Sequence, residues 1–129
     1  MKLGYVILYV PNVSQSLDFF DAAFGLKRRF LHESGDYGEV ESGVTTLAFA
    51  SHELGSMNFK DGYVAASASK VPLGMEIALL AEDVVQAHAR ALAAGATEMS
   101  APKLKPWGQT VSYVRAPDGC LVEICSPMS

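Results

Sequence analysis

Tyr5-Val6-Ile7-Leu8-Tyr9-Val10, followed by Asn12-Val13, is rewritten about half a chain later as Glu76-Ile77-Ala78-Leu79-Leu80-Ala81, followed by Asp83-Val84. Each stretch is an apolar strand running into an Asn or Asp. A short side-chain oxygen at that position can accept from the free N–H groups of a helix's first turn, so each stretch predicts a strand followed by a capped helix. A repeat of half the chain governs the reading of everything between its copies.

Residues 14–24 and 85–94 have helix-forming composition. Leu17, Phe20, Ala23 and Phe24 make one apolar stripe, and Val84, Val85, His88 and Leu92 the other. Gly25 and Gly95 follow them, as residues that accept the left-handed conformation after a helix. Strand-like segments come next, at 26–32, 38–41 and 44–51 in the first half and at 96–104, 109–115 and 120–125 in the second. Turn residues separate them at Ser34-Gly35-Asp36, Ser42-Gly43, Pro106-Trp107-Gly108 and Pro117-Asp118-Gly119. Phe30 and Phe49, with Phe19, Phe20 and Phe24, are expected in the core.

The predicted fold is α+β, with two tandem β-α-β-β-β modules at about 1–52 and 73–129 in a single domain spanning 1–129. The connection at about 53–72 is rich in Gly, Ser and Ala and reads either as a mobile flap or as an ordered dimer arm. Neither half is large enough for a secure core of its own, so the two should bury a shared face.

Composition narrows the function. The chain has 129 residues, 50% hydrophobic and 19% charged, against a usual charged share of about 25%. Disorder is excluded, and some apolar surface is expected to face a partner subunit or a ligand cavity. A net charge of −4 without a basic stripe argues against nucleic acid and anionic membrane as partners. No apolar run nears the ~20 residues of a membrane-spanning helix, and Met1-Lys2-Leu3-Gly4 leads into a strand with no signal-peptide pattern, which predicts a cytoplasmic location. Cys120 and Cys125 lie on opposite faces of one extended segment and are read as reduced thiols.

The module pattern, with Ser16-Leu17-Asp18-Phe19-Phe20 and Phe24-Gly25-Leu26 early and Pro117-Asp118-Gly119 and Glu123 late, resembles the vicinal oxygen chelate superfamily over essentially the whole chain. That superfamily includes glyoxalase I, the bleomycin-resistance proteins and the extradiol dioxygenases. The likeness implies eight strands curled around a cavity, helices outside, and often a dimer completing the site. It also implies that metal-bearing members take ligands from the first and fourth strands of each module. Those positions fall on Tyr5, Ala48 (Leu47 if shifted by one), Glu76 and Glu123. Only Glu123 matches a usual ligand, because the histidines common at the first-strand positions are absent. A transition-metal centre needs at least three good ligands, so no cofactor is expected. Should a divalent metal such as Zn, Ni, Mn or Mg bind, Glu76, Glu123 and His52 are the candidates.

Glu76 and Glu123 are the candidate catalytic residues, both expected to face the cavity. A carboxylate in an apolar strand is costly unless paired, hydrated or protonated. One of the two could therefore carry a raised pKa and bind a ligand or move a proton; equally, both could be solvated remnants. Tyr5 could hold a carboxylate or simply pack in the sheet. Ala48 and Leu121 are expected to line the cavity, with Trp107 stacking on a planar ligand and Gln109 donating an amide hydrogen bond, unless the two only anchor their turn. One of Lys27-Arg28-Arg29 could meet an anionic substrate, although a solvated strand start explains them equally. His32 and His88 have no neighbours that suggest nucleophilic chemistry, and phosphate-loop, Cys-x-x-Cys, His-Glu-x-x-His and Gly-x-Ser-x-Gly patterns are absent.

Two functions compete. One is a glyoxalase/bleomycin-resistance-like homodimer that binds a small organic molecule. The other is a lactoylglutathione-lyase-like lyase or isomerase with an atypical divalent metal site on Glu76 and Glu123. A purely structural dimer would leave two inward carboxylates unexplained.

Overall fold

A computed structural model describes residues 1–128. In chain order the elements are β1 (Tyr5–Val10), α1 (Val13–Phe24), β2 (Arg28–Leu31), β3 (Tyr37–Val40), β4 (Thr46–Ser51), α2 (His52–Asn58), a 3-10 turn (Ala66–Ala68), β5 (Ile77–Leu80), α3 (Val84–Ala93), β6 (Thr97–Leu104), β7 (Thr110–Arg115) and β8 (Leu121–Cys125). The two β-α-β-β-β modules are present as expected. Their eight strands are divided between two four-stranded mixed sheets, ordered β1-β4-β3-β2 and β5-β8-β7-β6. In each sheet the first and last strands of the module run parallel, and the other pairs are antiparallel. The inner edges β1 and β5 line the same clefts without hydrogen bonding to each other, so the sheets do not close.

The repeated caps act as the sequence predicts. Asn12 accepts from the Gln15 N–H and Asp83 from the Gln86 N–H, each at 3.0 Å. Gly25, at φ +71°, turns the chain out of α1 while its N–H returns to the Asp21 carbonyl.

Val13, Leu17, Phe20 and Ala23 of α1 pack onto Val40, Leu47 and Phe49, with the Phe20 and Phe49 rings 4.9 Å apart. Burying each large side chain contributes about 1.5–3 kcal/mol. Gly38 makes this contact possible, because a Cβ there would stand 2.6 Å from Leu17 Cδ1 and 3.1 Å from the Phe30 carbonyl. Val84 and Ala91 of α3 join the core with Val114, Val122 and Ile124. Between the helices, Arg90 donates to the carbonyls of Ala22 (2.9 Å) and Asp21 (3.3 Å), adding to the bonds that close the end of α1.

Two expectations need correction. Val85 is exposed, and the buried face of α3 is Val84, His88 and Ala91. With Val84 as the first helical residue, positions four and seven further on share its face, whereas Val85 is turned about 100° away. Phe30 is also exposed. A register shift between Arg28 and Phe30 carries it to the side away from α1, where it meets Tyr37 with ring centres 6.0 Å apart. The connection, expected as a flap or a dimer arm, holds α2 and the 3-10 turn. No helix among the described residues is long and apolar enough to cross a membrane.

Candidate functional site

Each sheet turns one face to its helix and the other away from it. On the far face of the second sheet, Ala78 pairs with Glu123 across β5 and β8, and strand alternation puts Glu76 on the same side. Tyr113 lies directly opposite Glu123 on β7, and its hydroxyl donates to Glu123 Oε1 at 3.1 Å. The Glu76 and Glu123 carboxyls are neighbours on this face. Desolvation, then the adjacent Glu123 carboxyl, raise the pKa of Glu76 above the ordinary carboxyl range. Two close carboxylates resist joint ionisation. Burial and Glu123 likewise raise Tyr113 and Cys125.

The first sheet is built differently. Ala48 is fully buried opposite Glu39. Glu39, only 8% exposed, accepts from the Tyr37 hydroxyl at 2.7 Å and from Arg29 at 3.1 Å. Arg29 also reaches Glu41 and Thr46, Arg28 binds Asp18 at 2.7 Å, and Lys27 lies 3.3 Å from Asp21. All three cations of the Lys27-Arg28-Arg29 run are paired with acids of the chain, which removes the case for an anionic substrate there.

Between β1 and the β5–β8 edge lies a cavity of about 140 Å³, lined mainly by Ile7, Leu8, Tyr9, Tyr63, Val64, Leu73, Met75, Glu76, Cys120 and Leu121. A more open cleft flanks the other side of the seam, and Glu76 borders both. The connection contributes Tyr63, Val64, Ala66 and Leu73 to the cavity wall. Tyr63 stacks on Tyr9 with ring centres 4.9 Å apart and hydrogen-bonds His52 Nδ1 at 2.7 Å. Arg115 fastens the connection from below, donating to the carbonyls of Ala66, Ser69 and Lys70 as well as Gly119.

The structure brings Glu76, Glu123 and Leu121 together and leaves the other candidates apart. Tyr5 is 58% exposed, and Tyr113 is the phenol that holds Glu123. Trp107 is 60% exposed; its indole N–H donates to Gln109 Oε1, and the Gln109 amide donates to the Ser126 carbonyl, each at 2.8 Å. The two secure their turn and do not line the cavity. His52 belongs to the aromatic cluster of the connection. No group of three or more His, Cys, Asp or Glu among the described residues is arranged to hold a metal. Two carboxylates without an imidazole do not fit a transition-metal centre.

Both thiols are protonated at neutral pH. Burial and Asp118 push Cys120 up to about 12, and burial raises Cys125, so neither is a ready nucleophile. His88, which has no acid near it in sequence, acquires partners through the fold. Its Nδ1 is 2.9 Å from the Ser112 hydroxyl and its Nε2 is 2.7 Å from Glu98. Ser112 is fully buried beneath α3, so this network ties the helix to β6 and β7 and is closed to a substrate.

Comparison with known proteins agrees with this architecture. A glyoxalase-related enzyme from Fulvimarina pelagi superposes with a TM-score of 0.81 at 22% identity, covering 98% of this chain and 88% of its own. A glyoxalase/bleomycin resistance protein/dioxygenase family enzyme from Burkholderia phytofirmans PsJN also gives 0.81, at 19% identity over 98% of both chains. TioX from Micromonospora sp. ML1 gives 0.68 at 18% identity, again over 98% of both. No curated protein matches. The sequence model of the Glyoxalase/Bleomycin resistance protein/Dioxygenase superfamily matches residues 2–124, and the chain belongs to that superfamily.

Proposed function

We propose that this protein binds a small, largely apolar organic molecule in the cavity between β1 and β5, as a glyoxalase/bleomycin-resistance-like protein whose family metal positions are emptied. Tyr5, Ala48 and Glu76 stand where ligands are usual, and only Glu123 is retained. The observation that carries the reading is an apolar and aromatic cavity bordered by one end of a carboxyl pair. Its volume of about 140 Å³ is close to that of an engineered apolar cavity, about 150 Å³, that admits benzene. A single ring or short branched chain with one polar group suits it. The reading requires no metal, and its setting is a cytoplasmic homodimer. Tyr5, Ile7 and Leu80, exposed on strands away from the helices, support the dimer by supplying apolar surface for it to cover.

A thermal-shift panel of single-ring compounds tests the binding role. A ligand at 100 times its Kd stabilises by about 2.7 kcal/mol, which is several degrees for a domain of this size. Leu73→Trp, which fills the cavity, should abolish the shift. A panel without any shift, or one unchanged in Leu73→Trp, contradicts the reading.

One observation favours a second reading, a lyase or isomerase. Two neighbouring carboxyls, one of them with a raised pKa, can offer an acid and a base at once. The ionised member would take a proton next to a carbonyl, while the neutral one would donate to the carbonyl oxygen. Glu123→Gln should then abolish turnover of a thiol-adduct substrate while the fold stays intact.

A further inference from the structure

The charged residues lining the cavity are Glu76 and Asp118, both acids, and the lining contains no Lys, Arg or His. Asp118 is already satisfied, accepting from the Ser16 hydroxyl at 2.8 Å and from the Cys120 N–H at 3.0 Å. Glu76 has for its neighbour another acid, Glu123. The nearby cations are committed elsewhere, Arg29 to Glu39 and Glu41 and Arg115 to backbone carbonyls. Tyr9 and Tyr63 bring aromatic rings to the same wall, and ring faces attract positive charge.

We infer that the cavity selects a small hydrophobic amine, bound as its ammonium ion on Glu76 with its apolar body among Ile7, Tyr9, Leu73 and Met75. The inference rests on the proposed ligand-binding role of this cavity. The lining offers a carboxylate acceptor and no cation of its own, so a cationic donor is the ligand group that complements it. An ammonium group supplies the charge and three donors in the space of one small group. A neutral hydroxyl of the same shape supplies one donor and no charge. A carboxylate ligand would add a further negative charge to a wall that has no donor cation, and burying it would be costly.

Calorimetry at pH 7.5 with benzylamine, benzyl alcohol and benzoate, ligands of similar size that differ in charge, tests this. Benzylamine is expected to bind at least about tenfold more tightly than benzyl alcohol, with benzoate weakest. In Glu76→Gln, benzylamine should fall to the level that benzyl alcohol shows on the same variant. A cooperative melting transition shows that the variant is folded. Benzyl alcohol or benzoate binding as well as benzylamine overturns the amine preference and leaves the cavity reading standing. An unchanged benzylamine affinity in Glu76→Gln overturns the role of that carboxyl. If none of the three binds, the cavity reading falls and this inference with it.

Discussion

The Ser16 hydroxyl donates a 2.8 Å hydrogen bond to Asp118 Oδ2, joining α1 of the first module to the β7–β8 turn of the second. Both residues are buried, so the bond closes the module interface around the Pro117-Asp118-Gly119 turn. Ser16→Ala leaves a buried carboxylate one partner short and is expected to cost about 1–3 kcal/mol, read as a lower urea midpoint with an unchanged slope.

Gly119 has φ +95°, and a Cβ there would stand 2.6 Å from the Ser67 N–H nitrogen and closer still to the Ala66 carbonyl. Gly119→Ala therefore combines backbone strain with displacement of the connection. A loss of about 1–3 kcal/mol from the strain alone is expected. Faster hydrogen exchange at residues 63–70 would distinguish this from a general destabilisation.

Glu76 sets a pH dependence. Its folded pKa is raised, first by burial and then by Glu123. A raised folded value means that this group's contribution to stability is full below its unfolded pKa and is lost as pH rises through the folded one. At neutral pH ionised Glu76 therefore opposes folding. Glu76→Gln should melt higher than the wild type at pH 7, and the difference should shrink toward zero by about pH 4, the ordinary carboxyl range. Melting curves from pH 4 to 8 check the slope. A variant that is less stable at pH 7 contradicts it.

Leu80 is 71% exposed on β5, a large apolar side chain on the face away from α3. Sedimentation of the wild type should give a dimer, and Leu80→Arg should move the equilibrium toward monomer, because a charge in a covered apolar face is costly. A monomeric wild type would remove the dimer from the account.

Much of the fold is legible in local patterns. The repeated strands, the Asn12 and Asp83 caps and most strand boundaries depend on side chains close in sequence, and they appear within about two residues of where the pattern puts them. Glu76 and Glu123 were also accessible, through alternation along two strands. Tyr113 and Glu39 were missed because a cross-strand partner depends on register, which no single segment encodes. Phe30 was misplaced by one bulge. The Glu98 and Ser112 partners of His88 come from two further strands, and Tyr63 and Leu73 reach the cavity only because Arg115 and Gly119 hold the connection in place. Composition alone left that connection open between a flap and a dimer arm.

The central claim is that an organic ligand enters the seam between the modules, and a methyl-resolved NMR titration with benzylamine tests it most directly. The account predicts saturable shifts at Ile7, Leu8, Leu73, Met75 and Leu121, with Leu17 and Val114 in the core unmoved. Cavity methyls that stay still up to the solubility limit, or shifts centred instead on Ala23, Leu79 and Ala87 beside α3, would contradict it.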